Sequence, residues 1–195
     1  LYGRFILAAA VLVIGSAAAW KGWNHYSFTK RMDSSHQYQV AENLLREGKP
    51  DDALALFAVL SKEGFGSYQK LGEMRKAALL RDSGDIEAAV DIYARISRDT
   101  SQSRVLRDAA SLNLVLTKFG EADKNLESLI SYLRPLTEAG RPLRFSALEI
   151  LGLLEIKRGD KKSAESIFKK LADALDAPES SRARAVQLIT VLNSQ

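Results

Sequence analysis

Beyond residue 35 the apolar side chains recur at spacings of three and four, and nowhere do apolar and polar residues alternate strictly. That period predicts helices and leaves no room for a sheet. The helices group as pairs over about 36–60, 68–97, 104–134 and 144–175. After Asp176-Ala177-Pro178 a last amphipathic helix, Ser180 to Asn193, presents Ala183, Val186, Ile189 and Leu192 and is expected to cap the final pair. The first part of the chain reads differently. Phe5 to Trp20, FILAAAVLVIGSAAAW, carries no charge, and about ten polar residues follow, among them Lys30, Arg31, Asp33, Ser34 and Ser35.

Three of the helical segments are copies of one another. Gly48-Lys49-Pro50-Asp51-Asp52-Ala53 leads to Phe57, Gly84-Asp85-Ile86-Glu87-Ala88-Ala89 to Tyr93, and Gly159-Asp160-Lys161-Lys162-Ser163-Ala164 to Phe168. Each has a glycine, an alanine five residues on and an aromatic four beyond that. A degenerate copy is expected at Gly120, with Leu126, Leu129 and Leu133 and with Asn125 in the alanine position. The period resembles the helix-turn-helix repeats of about 34 residues called tetratricopeptide repeats. Glycine accepts the left-handed conformation that closes one helix, and Pro50 or an aspartate suits the opening of the next. The alanine permits a close helix crossing, and the aromatic on the same face fills the neighbouring gap. Neither helix of a pair can bury its face alone, so stacking of pairs into a superhelical array with a concave surface is expected. A generic antiparallel bundle is the plainer alternative.

The uncharged run is read as a membrane anchor. About 18 residues at 1.5 Å each cover roughly 27 Å, near the hydrocarbon thickness of a thin bilayer. Trp20, Trp23, Tyr26 and Phe28 cluster at one end, as aromatic rings do at the headgroup level. A cleaved signal peptide stays open as an alternative, because Ala17 and Ala19 form an A-x-A-like site. A buried core helix is the poorer third reading. Residue 1 is Leu, so further native sequence is expected before it. The expected organisation is an anchor over 1–23, a juxtamembrane linker over 24–35 and a helical-repeat domain over 36–195. Arg4 lies on one side of the run and Lys21, Lys30 and Arg31 on the other, which by the positive-inside rule would place the domain in the cytoplasm.

Charge and composition mostly exclude. The 195 residues carry 28 Lys and Arg against 24 Asp and Glu, with Arg4 and Lys21 flanking the apolar run, so the remainder is nearly neutral. Both signs are interspersed, unlike the basic stripe of a nucleic-acid binder, and no nucleic-acid partner is expected. Absence of cysteine removes disulfides, thiolate catalysis and cysteine zinc sites. His25 and His36 have no neighbouring serine and carboxylate for a triad, no HExxH helix occurs, and no glycine-rich phosphate loop carries the required Lys and Ser or Thr. Asp51-Asp52 and Asp99 read as helix starts or solvated loop residues. Neither an enzyme, a cofactor, a metal site nor a small-molecule substrate is expected.

Several local sequences carry a further resemblance. Tyr2-Gly3-Arg4-Phe5 with Ala8-Ala9-Ala10-Val11, Lys21-Gly22-Trp23, Leu106-Arg107-Asp108, Leu133-Arg134-Pro135-Leu136, and the ending from Asp176-Ala177-Pro178 to Arg182-Ala183-Arg184-Ala185 resemble the ancillary SecYEG translocon subunit family, in its alphaproteobacterial branch. The resemblance covers essentially the whole chain. It implies a single-pass protein of the bacterial inner membrane with a periplasmic tetratricopeptide-like domain. It also implies, as protein partners, translocon subunits, periplasmic chaperones or exported clients, and it carries over no catalytic residue. A scaffold or assembly factor for another envelope complex is the alternative function.

Phase then names a candidate surface. With Ala53, Ala89 and Ala164 on the second helix of each pair, the first helices line the concave face. Counting back from the turns puts Tyr38, Glu42 and Arg46, then Met74 and Arg81, then Arg107, Leu114 and Lys118, then Glu149 and Leu153 toward the groove. Single apolar residues among charges suit adaptable contact with extended segments. Some of these residues would instead pack between neighbouring repeats.

Overall fold

A computed structural model describes residues 2–194, with the side chains of residues 2, 4–11, 123 and 124 left aside. The helices in chain order are α1 (Tyr2–Arg46), α2 (Pro50–Glu63), α3 (Ser67–Asp82), α4 (Ile86–Arg98) and α5 (Arg104–Lys118). Then come α6 (Ala122–Leu133), α7 (Arg144–Lys157), α8 (Lys161–Ala172) and α9 (Glu179–Asn193). Short 3₁₀ turns at Phe119–Glu121 and Arg134–Thr137 flank α6. The four expected pairs and the terminal helix are all present. Among the described residues there is no strand.

The turn glycines explain the joints. Gly48, Gly84 and Gly159 have φ of 73°, 93° and 81°, and the residue after each donates its amide to a carbonyl five residues back. These bonds are Lys49 to Leu44 (2.9 Å), Asp85 to Leu80 (2.8 Å) and Asp160 to Glu155 (3.0 Å). This is the left-handed closure that satisfies the last carbonyls of a helix, repeated three times with one geometry. The next helix opens on Pro50 in the first case and on capping aspartates in the others. Asp85 accepts from the Ala88 amide at 3.3 Å and Asp160 from the Ser163 amide at 2.9 Å.

Two compact units divide the chain, Leu1–Leu79 and Leu80–Gln195. In the first, α1 packs on α2 around Ala41, Ala53, Phe57 and Leu60, all fully buried. Helix α1 is continuous from Tyr2 to Arg46, so the polar stretch 24–35, expected as a linker, is helical. The α2–α3 loop folds back on it: the Phe65 amide donates to Ser34 Oγ at 3.0 Å, and the Phe65 ring meets Tyr26 edge-on at 6.2 Å. The expected span Phe5–Trp20 lies partly on residues 4–11, outside the described side chains. Among the described residues no helix is long and apolar enough to cross a membrane.

In the second unit, α4 buries Ala89, Ile92, Tyr93 and Ile96, spaced as one face of a helix, and packs on α5. Fully burying one such side chain contributes roughly 1.5 to 3 kcal/mol. Leu148, Ala164, Phe168, Leu171, Ala177, Ala185 and Leu192 form a core shared by α7, α8 and α9. Two expectations need correction here. Gly120 is not left-handed, and its turn is 3₁₀; Asn125, at φ −137° and ψ 22°, breaks α6 and is exposed, while Leu129 occupies the buried aromatic position. Of the α9 residues expected inward, Leu192 is buried and Ile189 packs on this core, whereas Ala183 and Val186 are exposed and Ser181, Ala185 and Leu188 take their place. A stripe spaced strictly by three drifts about 60° per step around a helix, so 183, 186, 189 and 192 cannot share one face.

Candidate functional site

Helix α5 opens on Ser103, whose hydroxyl accepts from the Leu106 amide at 3.3 Å. From there Arg104, Arg107, Asp108, Ser111, Leu114 and Lys118 follow one another at helical spacing along a single face. That face is not covered by one neighbour. It forms the base of two hollows walled by α4 and α6, about 320 Å³ around Arg104, Arg107, Asp108 and Ser111, where Pro135, Leu136 and Arg141 complete the wall, and about 230 Å³ around Leu114 and Lys118. Asp108, Ser111 and Leu114 are buried and make the floor, while Arg98, Arg104, Asp91 and Ser128 stand exposed on the rims.

Arg98 and Tyr132 belong to both hollows and divide them. The Arg98 guanidinium donates to the Tyr132 hydroxyl at 2.6 Å and lies 6.0 Å from the ring centroid. In the larger hollow Arg141 donates to both oxygens of Asp108, at 3.0 and 3.1 Å, and its Nε is 3.7 Å from Glu138. Arg98, Arg104, Arg107 and Arg141 thus line one hollow in which, among the described residues, Asp108 is the carboxylate. The Nε of Arg107 is buried without a hydrogen-bond partner. A buried donor left unpaired costs free energy. The second hollow is mixed, with Val90, Ala94, Leu114 and Leu129 beside Asp91 and Lys118. Chemically, the pair of hollows can accept carboxylates at one end and an apolar side chain at the other. Among the described residues no three His, Cys, Asp or Glu converge as metal ligands.

Of the residues named from phase, Arg107, Leu114 and Lys118 are the ones brought together on these hollows. The others lie outside these hollows. Tyr38 meets Phe57 at 5.4 Å and Tyr68 at 6.1 Å between ring centroids. Burial, then its hydrogen bond to Glu42, pushes the Tyr38 hydroxyl above the ordinary phenol range. Glu42 is ion-paired with Arg75 of α3, and exposed Arg46 donates to Asn43 at 3.0 Å. Arg81 pairs with its neighbour Asp82 at 2.8 Å, and Met74 is half-buried in α3. Glu149 is held by a bidentate pair with Arg184 of α9 at 2.8 and 2.9 Å, and Leu153 packs on the core of α7, α8 and α9. Phase alone could not foresee this, because it locates a face without saying which neighbour covers it. Arg98, Tyr132 and Arg141 were missed because they sit at the ends of second helices and in the loop before α7, where only the arginine-rich spacing gave a signal.

Known proteins are similar to the chain in two respects. Residues 1–183 match a family described as a tetratricopeptide repeat-like domain. The Ancillary SecYEG translocon subunit of Escherichia coli (strain K12) is 25% identical over 168 residues, covering 85% of this chain and 78% of that protein. In structure the chain is similar to nearly identical TPR-like repeats from a kinesin light chain candidate of Podosopora anserina. The TM-score is 0.62 at 13% identity, over 82% of this chain and 85% of that one. A variant of the same protein gives 0.60 at 14% identity, over 82% and 84%. At that identity the likeness concerns the fold alone, an all-helical tetratricopeptide-like solenoid.

Proposed function

Since this chain belongs to the tetratricopeptide repeat-like domain family, we propose that it is a membrane-anchored protein-interaction module, ancillary to the protein-export translocon and linking export to periplasmic folding factors. One observation carries the reading. The similarity to an ancillary translocon subunit extends over 85% of the chain and begins from a repeat fold whose known physical capacity is to present stacked helix faces to other proteins. The role is binding rather than catalysis, in keeping with a repeat fold that presents helix faces to partners.

The anchor is residues 1–23, supported by the uncharged run from Phe5 to Trp20 and by the tryptophans at positions 20 and 23. The repeats then occupy the periplasm of a bacterial inner membrane. Crosslinking in intact cells, followed by identification of the captured proteins, is the test. Translocon subunits or periplasmic folding factors are the expected partners; recovery of an unrelated envelope assembly alone would make the chain a scaffold for that assembly and overturn the reading.

A further inference from the structure

We propose that the α5 face binds an extended acidic peptide segment, with carboxylates in the arginine hollow and an apolar side chain in the hollow beside Leu114. The inference rests on the protein-binding reading above and names the chemistry of the partner at that surface.

The charge count comes first. Arg98, Arg104, Arg107 and Arg141 face Asp108, and Asp108 is already clamped by Arg141. The remaining cationic groups therefore exceed what the hollow's described carboxylate can neutralise. Guanidinium groups bind carboxylates through charge-assisted hydrogen bonds, and inside the same hollow one nitrogen of Arg141, Nη1, donates to both oxygens of Asp108. Ser97, Ser111 and Ser131 add hydroxyls to the lining.

Length and apolar character decide between a small anion and a chain. A single phosphate or carboxylate would occupy the arginine hollow and leave the second one empty. The face from Arg104 to Lys118 spans 15 residues of helix, about 22 Å, which an extended peptide of about six residues matches. At the far end half-buried Val90 and Ala94 offer a small apolar seat above the buried Leu114 and Leu129. Arg98, shared by both hollows and braced by Tyr132, sits where the backbone of such a segment would cross and can donate to its carbonyls.

The test uses the full chain in detergent and a fluorescent hexapeptide with two glutamates at one end and two leucines at the other, followed by anisotropy. Binding is expected, weakened by raised salt and by replacing either the glutamates with glutamines or the leucines with serines. The double variant Arg104→Gln/Arg107→Gln is expected to lose about tenfold in affinity with its helical signal and melting midpoint unchanged. If that variant melts lower, Arg104→Gln alone, at an exposed side chain, carries the comparison. Undiminished binding by the variants, or displacement of the peptide by millimolar inorganic phosphate as readily as by unlabelled peptide, would overturn the proposal. Crosslinking of the double variant in cells separates the two levels. Loss of partners supports the proposal, and full retention overturns it while leaving the protein-binding reading intact. A wild-type chain that captures no protein sinks that reading instead.

Discussion

Gly152 shows what the repeat demands of one residue. It lies seven residues before the turn glycine Gly159, and Ala41 and Ala77 stand seven before Gly48 and Gly84, both fully buried. A Cβ on Gly152 would come within 2.4 Å of Phe168 Cε1, so the smallness of this position is the counterpart of the aromatic that follows each turn. Gly152→Ala is expected to lower the melting midpoint by about 1 to 3 kcal/mol of stability, and Phe168→Leu to relieve part of that loss in a double-mutant cycle. Ala89→Leu, at another fully buried alanine, is expected to cost a similar amount. Additive effects of Gly152→Ala and Phe168→Leu would count against the contact. Two carboxyls a few residues apart respond to pH in opposite ways. Burial raises the Glu155 carboxyl above its ordinary value despite Arg158 at 2.6 Å, so its protonated form is the one the fold favours. Its contribution is full below the unfolded value and is lost as pH rises through the folded one. Asp160 is held below the ordinary range, first by the Ser163 amide and then by its hydroxyl. Its contribution is present above the unfolded value and is lost as pH falls through the folded one. Thermal unfolding followed from neutral to acid pH should therefore find Glu155→Gln at least as stable as wild type at neutrality, and Asp160→Asn less stable, with both differences shrinking on acidification. A Glu155→Gln protein that melts well below wild type at neutral pH would contradict the burial argument.

At the scale of the element, the turns are the part of the design written locally. Gly84→Ala forces an alanine to φ near 93° and is expected to cost about 1 kcal/mol, whereas Gly120→Ala, at a turn with no left-handed residue, should be neutral or slightly stabilising. Equal losses at the two glycines, measured by chemical denaturation, would mean that the turn at 119–121 depends on its glycine after all. This contrast also explains how far the sequence could be read. Gly48, Gly84 and Gly159 with their following alanine and aromatic were legible because hydrogen bonding between near neighbours sets those turns. The copy at Gly120 misled because identity of one residue was taken for identity of the turn, and α6 breaks at Asn125 where the copies have an alanine. The inner face of α9 was legible at Ile189 and Leu192 but not at Ala183 and Val186, because small residues occupy both candidate faces. Of the candidate surface, the α5 residues were legible as a face, but Glu42 and Glu149 found internal partners 33 and 35 residues away. Long-range pairing of that kind cannot be counted from a turn.

At the scale of the whole molecule, the visible charges and the proposed function call for opposite topologies, and an experiment can decide. Lys21, Lys30 and Arg31 follow the apolar run and Arg4 precedes it, a bias that by the positive-inside rule alone would retain the repeats in the cytoplasm. That rule counts all basic residues within about 15 to 20 residues of a span's ends, and the orientation of a first helix also responds to charges farther toward the N-terminus. The proposed role at the outer side of the translocon requires the opposite orientation, with the repeats exported. The helical continuity of α1 bears on this, because residues 24–35 are tied to the α2–α3 loop through Phe65 and would emerge from the membrane already packed on the repeats. A reporter active only in the periplasm, fused after Gln195, is expected to be active. Protease added to spheroplasts should digest the repeats, and protease added to intact inverted vesicles should not reach them. Protection in spheroplasts together with digestion in inverted vesicles would place the α5 face in the cytoplasm, where exported folding factors could not meet it, and the proposed function would fall with the topology.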